Sequence, residues 1–405
     1  MQAWTAPRAL AIGALASVVA LLGACSAGAV PGEGDPVPAS PSTASPSPEP
    51  EPVTVAFVEA TALEPPGDRL APAYQGARLA FASAALRGDL PAPVEVEVLE
   101  TGGTVAGTLE VAAGIVADPR IAAVIAAPGL PWQGVFGDAL EAARVPWMSL
   151  SSAGVDLGVR GWVGWRRLVP DQVSEGEALG RVLHGLPRAR AGLCVLSERS
   201  IPAGRMLDAA VRTAGAPLRL DELVDDSPGS VDGAVAAVME AGCGAVLWVG
   251  EGILGASLRR RLIEVGLARM PFVGSERIRD TGYLEAAGKA AEGTIAVCPC
   301  ADVSTSRRLA HQRFIQDFQA EFGLAPGAFA VEGWDAGRLL ISALGSGART
   351  RSGIRDALAG VDAFEGLATG YRFGPGGELA QPFAALRTYR VEGGRWLELA
   401  EERRR

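Results

Sequence analysis

The stretch AVLWVGEGILGASLRRRLIEVGLARMPFVG, residues 245–274, decides the fold. Ala245–Gly250 is apolar and β-prone. Leu254–Gly266 carries apolar side chains at helical spacing among three arginines, and Pro271–Gly274 is apolar and short again. Strand, amphipathic helix and strand describe a crossover between parallel neighbours; strands without polar alternation belong to sheets covered on both faces. The unit recurs upstream as a helix at 174–183, strand GLCVLS (192–197), helix 203–214, strand LRLDELV (218–224) and helix 231–241. A separate run precedes it: VTVAFV (53–58), helix 73–86, VEVEVLE (94–100), a helix in GTLEVAAGIVAD (107–118), IAAVIAA (121–127), helix 134–143 and PWMSL (146–150). Downstream come two helices, 306–323 and 327–344, then a hairpin over 383–399 turning at Glu392-Gly393-Gly394. Two successive runs of this kind predict an α/β chain with two doubly wound, Rossmann-like lobes.

The chain has 405 residues, too many for one ordinary core. It opens with Arg8 and an apolar run, Ala9–Leu22, shorter than the ~18 residues a spanning helix needs. LLGACSAGAV (21–30) follows, and its Leu-Leu-Gly-Ala-Cys resembles the lipobox of bacterial lipoproteins. That resemblance implies a signal peptide over 1–24 and lipidation of Cys25; a secretory signal with an incidental cysteine is the other reading. Residues 25–52 are rich in Pro, Ser and Glu, unsuited to core formation and biased toward extended backbone, which suits a tether.

A formal net charge of −9 argues against nucleic acid as a partner. The runs Arg259–Arg261 and Arg403–Arg405 read as a solvated helix face and a tail. Lys289 is the one lysine. Among the cysteines, Cys194 reads as a buried strand residue. Cys298 and Cys300 lie too close in sequence to bridge each other comfortably, so that Cys243 with Cys298 or Cys300 is the pairing left open. His184 and His311 read as surface residues on helices. No nucleophile elbow, P-loop, zinc motif or Cys/His metal spacing occurs, so neither catalysis nor a cofactor is expected. TGGTVAG (101–107) lacks the dinucleotide spacing and reads as a strand-to-helix turn.

Several strings, in this order, resemble the leucine/isoleucine/valine-binding family of type I periplasmic solute-binding proteins: YQGARLAF (74–81), VIAAPGLPWQG (124–134), RVPWMSLSSAG (144–154), RRLVPDQVSEG (166–176), FVGSERIRDTGYLEAAGKAAEG (272–293) and VEGWDAGRLLISAL (331–344). The resemblance implies the type I periplasmic-binding-protein fold, its two lobes joined by a three-segment hinge. It places 53–167 plus 302–348 in lobe I and 168–301 plus 349–400 in lobe II. It also implies a small ligand in the cleft, with an ABC permease as partner. Lobe I takes the ligand carboxylate and an acid of lobe II takes the ammonium, and Glu276 falls at that acid's position. The family's serine loop is here Gly129-Leu130-Pro131-Trp132, and its Ala/Thr pair falls on Ser151 and Ala153 with Ser152 between. A tyrosine position becomes Glu251, and Arg69 stands where relatives carry an aromatic or small residue. Glu251 and Glu276 together predict an amine-bearing or amino-acid-like ligand, and Trp132 either stacks on it or, like Trp147, packs between lobes. The alternative is a lipoprotein that keeps the fold without capturing solute and acts as a scaffold.

Overall fold

The computed structural model describes residues 51–60, 71–201 and 203–399. Cys25, the leader, almost all of the tether and Arg69 lie outside them. The first lobe begins with β1 (Val53–Glu59), α1 (Pro72–Arg87), β2 (Val94–Glu100), α2 (Val105–Ala117), β3 (Ile121–Ala126), α3 (Gln133–Ala142), β4 (Trp147–Ser149) and β5 (Trp165–Arg167). The second holds α4 (Gln172–Gly185), β6 (Leu193–Glu198), α5 (Gly204–Ala214), β7 (Leu218–Val224), α6 (Pro228–Ala241), β8 (Ala245–Val249), α7 (Gly252–Glu264), β9 (Phe272–Gly274), α8 (Thr281–Ala287) and β10 (Ile295–Cys298). There follow α9 (Leu309–Phe322), α10 (Ala330–Gly345), α11 (Arg351–Ala359), a small hairpin of β11 (Ala363–Glu365) and β12 (Gly370–Arg372), and a closing hairpin of β13 (Arg387–Glu392) and β14 (Arg395–Glu398).

One sheet runs β2-β1-β3-β4-β5, all parallel; the other runs β14-β13-β10-β9-β8-β6-β7, antiparallel only where β13 joins β10 and β14. Strand alternation sends side chains to two cores per sheet. Along β3, Ala123 and Ile125 join the core under α1 and α10, while Val124 and Ala126 join a second with Phe136 and Trp147. Along β8, Val246 and Trp248 face one side and Leu247 and Val249 the other. Both sheets are therefore covered on both faces, and the doubly wound expectation holds. Gly393 and Gly394, at φ of 61° and 75°, supply the left-handed turn of the last hairpin. Gly102 and Gly103 make the expected turn before α2, whose cap Thr104 accepts the Gly107 N–H at 3.0 Å.

Five expectations differ from the structure. Residues 349–400 divide between lobes: Ile354, Leu358, Tyr371 and Phe373 enter the first core, and only Tyr389, Val391 and Trp396 enter the second. In α11, Ile354 and Leu358 fall four apart on one fully buried face, which the charged residues around them obscured. Cys194 bridges Cys243, Cα atoms 5.7 Å apart, because adjacent β6 and β8 bring the end of α6 beside Cys194. Cys298 bridges Cys300 after all, the chain bending at Pro299 to bring the Cα atoms to 5.1 Å. His311 is buried, its ring nitrogens 2.7 Å from Ser306 Oγ and 3.1 Å from Leu367 O. Arg259 is buried too, donating to the carbonyls of Ala268, Met270 and Ala290.

Candidate functional site: a cavity between the lobes

Open parallel sheets place ligands beyond the carboxyl ends of their strands, and the two sheets meet at those ends. The loops after β3 and β4 supply Gly129, Pro131, Ser152 and Ala153; those after β6 and β9 supply Ile201, Ser275, Glu276 and Arg277, with Val249 at the end of β8. They enclose a cavity of about 40 Å³. That admits a water, whereas small-molecule pockets run to roughly 300 Å³ or more, so the lobes stand closed. A wider groove of about 830 Å³ opens on the second lobe alone, beside Glu198, Asp225 and Glu251.

The loop after β4 holds itself together with the groups a ligand would need. Ser151 is fully buried; its hydroxyl donates to Leu130 O at 3.1 Å and accepts the Ala153 N–H at 3.2 Å. Ser149 donates to Gln133 Oε1, and Gln133 donates to Ala153 O, both at 2.5 Å. Buried polar groups must be paired, and here they pair with one another. Ser152, 7% exposed, keeps its side chain on the cavity.

Across the cavity Glu276 begins a short 3-10 turn. Its N–H donates to Glu175 Oε1 at 3.2 Å, and Glu175 is fully buried in the first turn of α4. Burial, then the neighbouring Glu276 charge, pushes the Glu175 carboxyl well above the usual range; its contact with Ser152 of the opposite lobe opposes this weakly. Counted as carboxylates, Glu175 Oε2 and Glu276 Oε2 are both buried without a donor. A proton kept on Glu175 relieves the cost of burying its charge.

Arg277 completes the wall. Its guanidinium bonds the Glu251 carboxylate, its Nε lies 3.9 Å from Glu276 Oε1, and its Nη2 is 3.4 Å from where a Cβ on Gly129 would stand. Adjacent strands β8 and β9 set Glu251 and Arg277 side by side. The negative charge expected from Glu251 is thus already matched.

Of the residues singled out in the sequence, Ser152, Ala153 and Glu276 line the cavity. Ser151 is turned into its loop. Glu251 sits at the rim, its side chain 53% exposed. Trp132 is 47% exposed and donates through Nε1 to Gly103 O at 3.3 Å in the loop after β2, and it does not line the cavity. Trp147 is not interlobe packing: it lies 5.4–5.6 Å from the rings of Trp162, Trp165 and Phe136 inside the first core. Glu175 and Arg277 escaped sequence reading. The signal for Glu175 was an acid inside an otherwise regular crossover string, and Arg277 stood in plain view beside Glu276.

Two doubly wound lobes, joined by three passes of chain and facing each other across a closed cavity, define the class of two-lobed solute-binding proteins. The chain belongs to the periplasmic binding protein family, whose model matches residues 65–395. Its members are solute receptors, not enzymes. Similar solved structures include the branched-chain amino acid transporter substrate-binding protein LivJ of Streptococcus pneumoniae in complex with isoleucine (15% identity, 86% of this chain, 100% of that one, TM-score 0.73). A solute-binding protein of R. palustris in complex with benzoate covers 86% and 96% at 17% identity and TM-score 0.70. A fatty acid ABC transporter substrate-binding protein of Thermomonospora curvata covers 86% and 91% at 15% and 0.71. These likenesses establish the fold. No curated protein matches the chain by sequence.

Proposed function

We propose that this protein is a lipid-anchored, extracytoplasmic receptor that closes its lobes over a small organic solute and presents it to an ABC permease. The observation that carries this reading is the cavity itself, with Ser152 and Ala153 from one lobe opposite Glu276 and Arg277 from the other. A charged solute leaving water needs paired, preoriented partners, and this wall offers both an acid and a base. The ligands in the names of the related structures, isoleucine, benzoate and fatty acid, share a carboxylate. A carboxylate-bearing solute, with amino acids within that class, is therefore the proposed cargo.

Thermal shift of the mature chain against carboxylates, amino acids, amines and amides tests the reading. Ligand at 100 times its Kd raises stability by about 2.7 kcal/mol, which moves the midpoint measurably. The second reading, a scaffold that has lost solute capture, is favoured by the way Arg277 already fills the space between the lobes; no shift with any solute would select it. Among the described residues no helix is long and apolar enough to cross a membrane. The anchor falls to Cys25, and Cys25→Ser is expected to move the protein from the membrane fraction to the soluble one. Retention of that variant in the membrane would remove the lipid.

A further inference from the structure

Arg277 is a cation held at a cavity between two lobes, and its present partner is a carboxylate that can leave. Glu251 lies at the rim with its side chain 53% exposed, whereas that of Arg277 is 26% exposed. Released, Glu251 returns to water at little cost, while Arg277, against the first-lobe loop at Gly129, keeps Glu276 Oε1 at 3.9 Å and has guanidinium donors left for another anion.

Taking the receptor reading above as its basis, we propose that the ligand is an apolar carboxylate without an ammonium group, whose carboxylate displaces Glu251 from Arg277. The exchange is one carboxylate for another, so the charge inside the cleft does not change. The first-lobe loop has little to offer the anion: the Ser151 hydroxyl is bound to Leu130 O, the Ala153 N–H is bound to Ser151, and the Ser152 side chain contacts Glu175. The base must come from the second lobe. An ammonium group brings three donors that each need an acceptor. Glu276 has few to give: its Oε2 is buried, as is that of Glu175, and its Oε1 lies 3.9 Å from Arg277 Nε. Beyond these groups Ile201, Ala203, Met206 and Val249 give the wall an apolar side that matches a hydrocarbon body, with Gln172 and Ser275 as further polar lining.

Isothermal titration of the mature protein with matched pairs tests this directly: isocaproate with leucine, hydrocinnamate with phenylalanine, and isoamylamine alone. The acids are expected to bind, and each amino acid to bind at least roughly tenfold more weakly than its partner acid. Leucine or phenylalanine binding more tightly than its acid would overturn this inference and leave the receptor standing. Binding of no member of the panel would overturn both. Arg277→Gln is expected to weaken acid binding by roughly 30-fold or more, as when one partner of a buried charge pair is lost. Unchanged acid affinity in a folded Arg277→Gln protein overturns the assignment. Arg277→Lys keeps a charge of the same sign and is expected to retain measurable acid binding; amino-acid preference in that variant would equally count against the inference.

Discussion

The hydroxyl of Ser151 holds two backbone groups, the Leu130 carbonyl and the Ala153 N–H, in a loop that water does not reach. Ser151→Ala leaves both unpaired and is expected to lower unfolding free energy by about 1–3 kcal/mol, read from urea midpoints. A midpoint within error of the parent would return that hydroxyl to the candidate ligand contacts. The sequence showed which residues lie on this loop, but not which face the cavity. Ser149, Ser151 and Ser152 occur within four positions, and a rotation of one residue decides which hydroxyls are consumed internally. Arg277 illustrates the same limit for charge. The sequence shows it only beside Glu276, and the adjacency of β8 and β9 delivers Glu251, 26 residues away, to its guanidinium.

At the scale of elements, α1 and α10 cross so closely that glycine is required on both sides. A Cβ on Gly76 would lie 1.9 Å from Ala330 O, and one on Gly333 would lie 1.9 Å from Ala73 O. Backbone cannot yield as a flexible side chain can, so Gly333→Ala must push the helices apart. It is expected to cost about 1–3 kcal/mol, the range for overpacking, and chemical denaturation checks it. A stability unchanged by this substitution would mean that the helices separate freely. These helices, and the apolar strands, were legible because their periodicities survive in the sequence: β2 and β7 have the bounds expected, 94–100 and 218–224. The strands β5 and β10 were not, being three and four residues long, β5 held by β4 at the sheet edge and β10 by β9 and β13. β11 and β12 pair only with each other and are still shorter than any pattern of period two can resolve.

Across the whole molecule, α10 fastens one of the three passes between lobes, and the β11–β12 hairpin of the first lobe, through buried acids. Glu332 accepts the Ala301 N–H at 2.7 Å, and Asp335 accepts the N–H groups of Leu367 and Ala368 and the hydroxyl of Tyr371. Burial pushes the Glu332 carboxyl up to about 8 and that of Asp335 up to about 6. Burial and the nearby Glu100 push Glu59, at the end of β1, up to about 8. A carboxyl whose folded pKa is raised binds its proton more tightly folded than unfolded. Between about pH 4.5 and pH 8 the folded state therefore holds more protons, and stability falls as pH rises. The urea midpoint is expected to decrease from pH 5 to pH 8, and an increase over that range would show these acids ionised in the native state. From the sequence alone came the two doubly wound lobes and the position of the cleft loops, because strand and helix periods are local and the lobes repeat them. Tertiary structure alone decided that residues 351–373 pack into the first core, that Cys194 meets Cys243, and that Arg277 neutralises Glu251. Pairing and burial depend on which strand ends lie side by side, and no spacing along the chain encodes that.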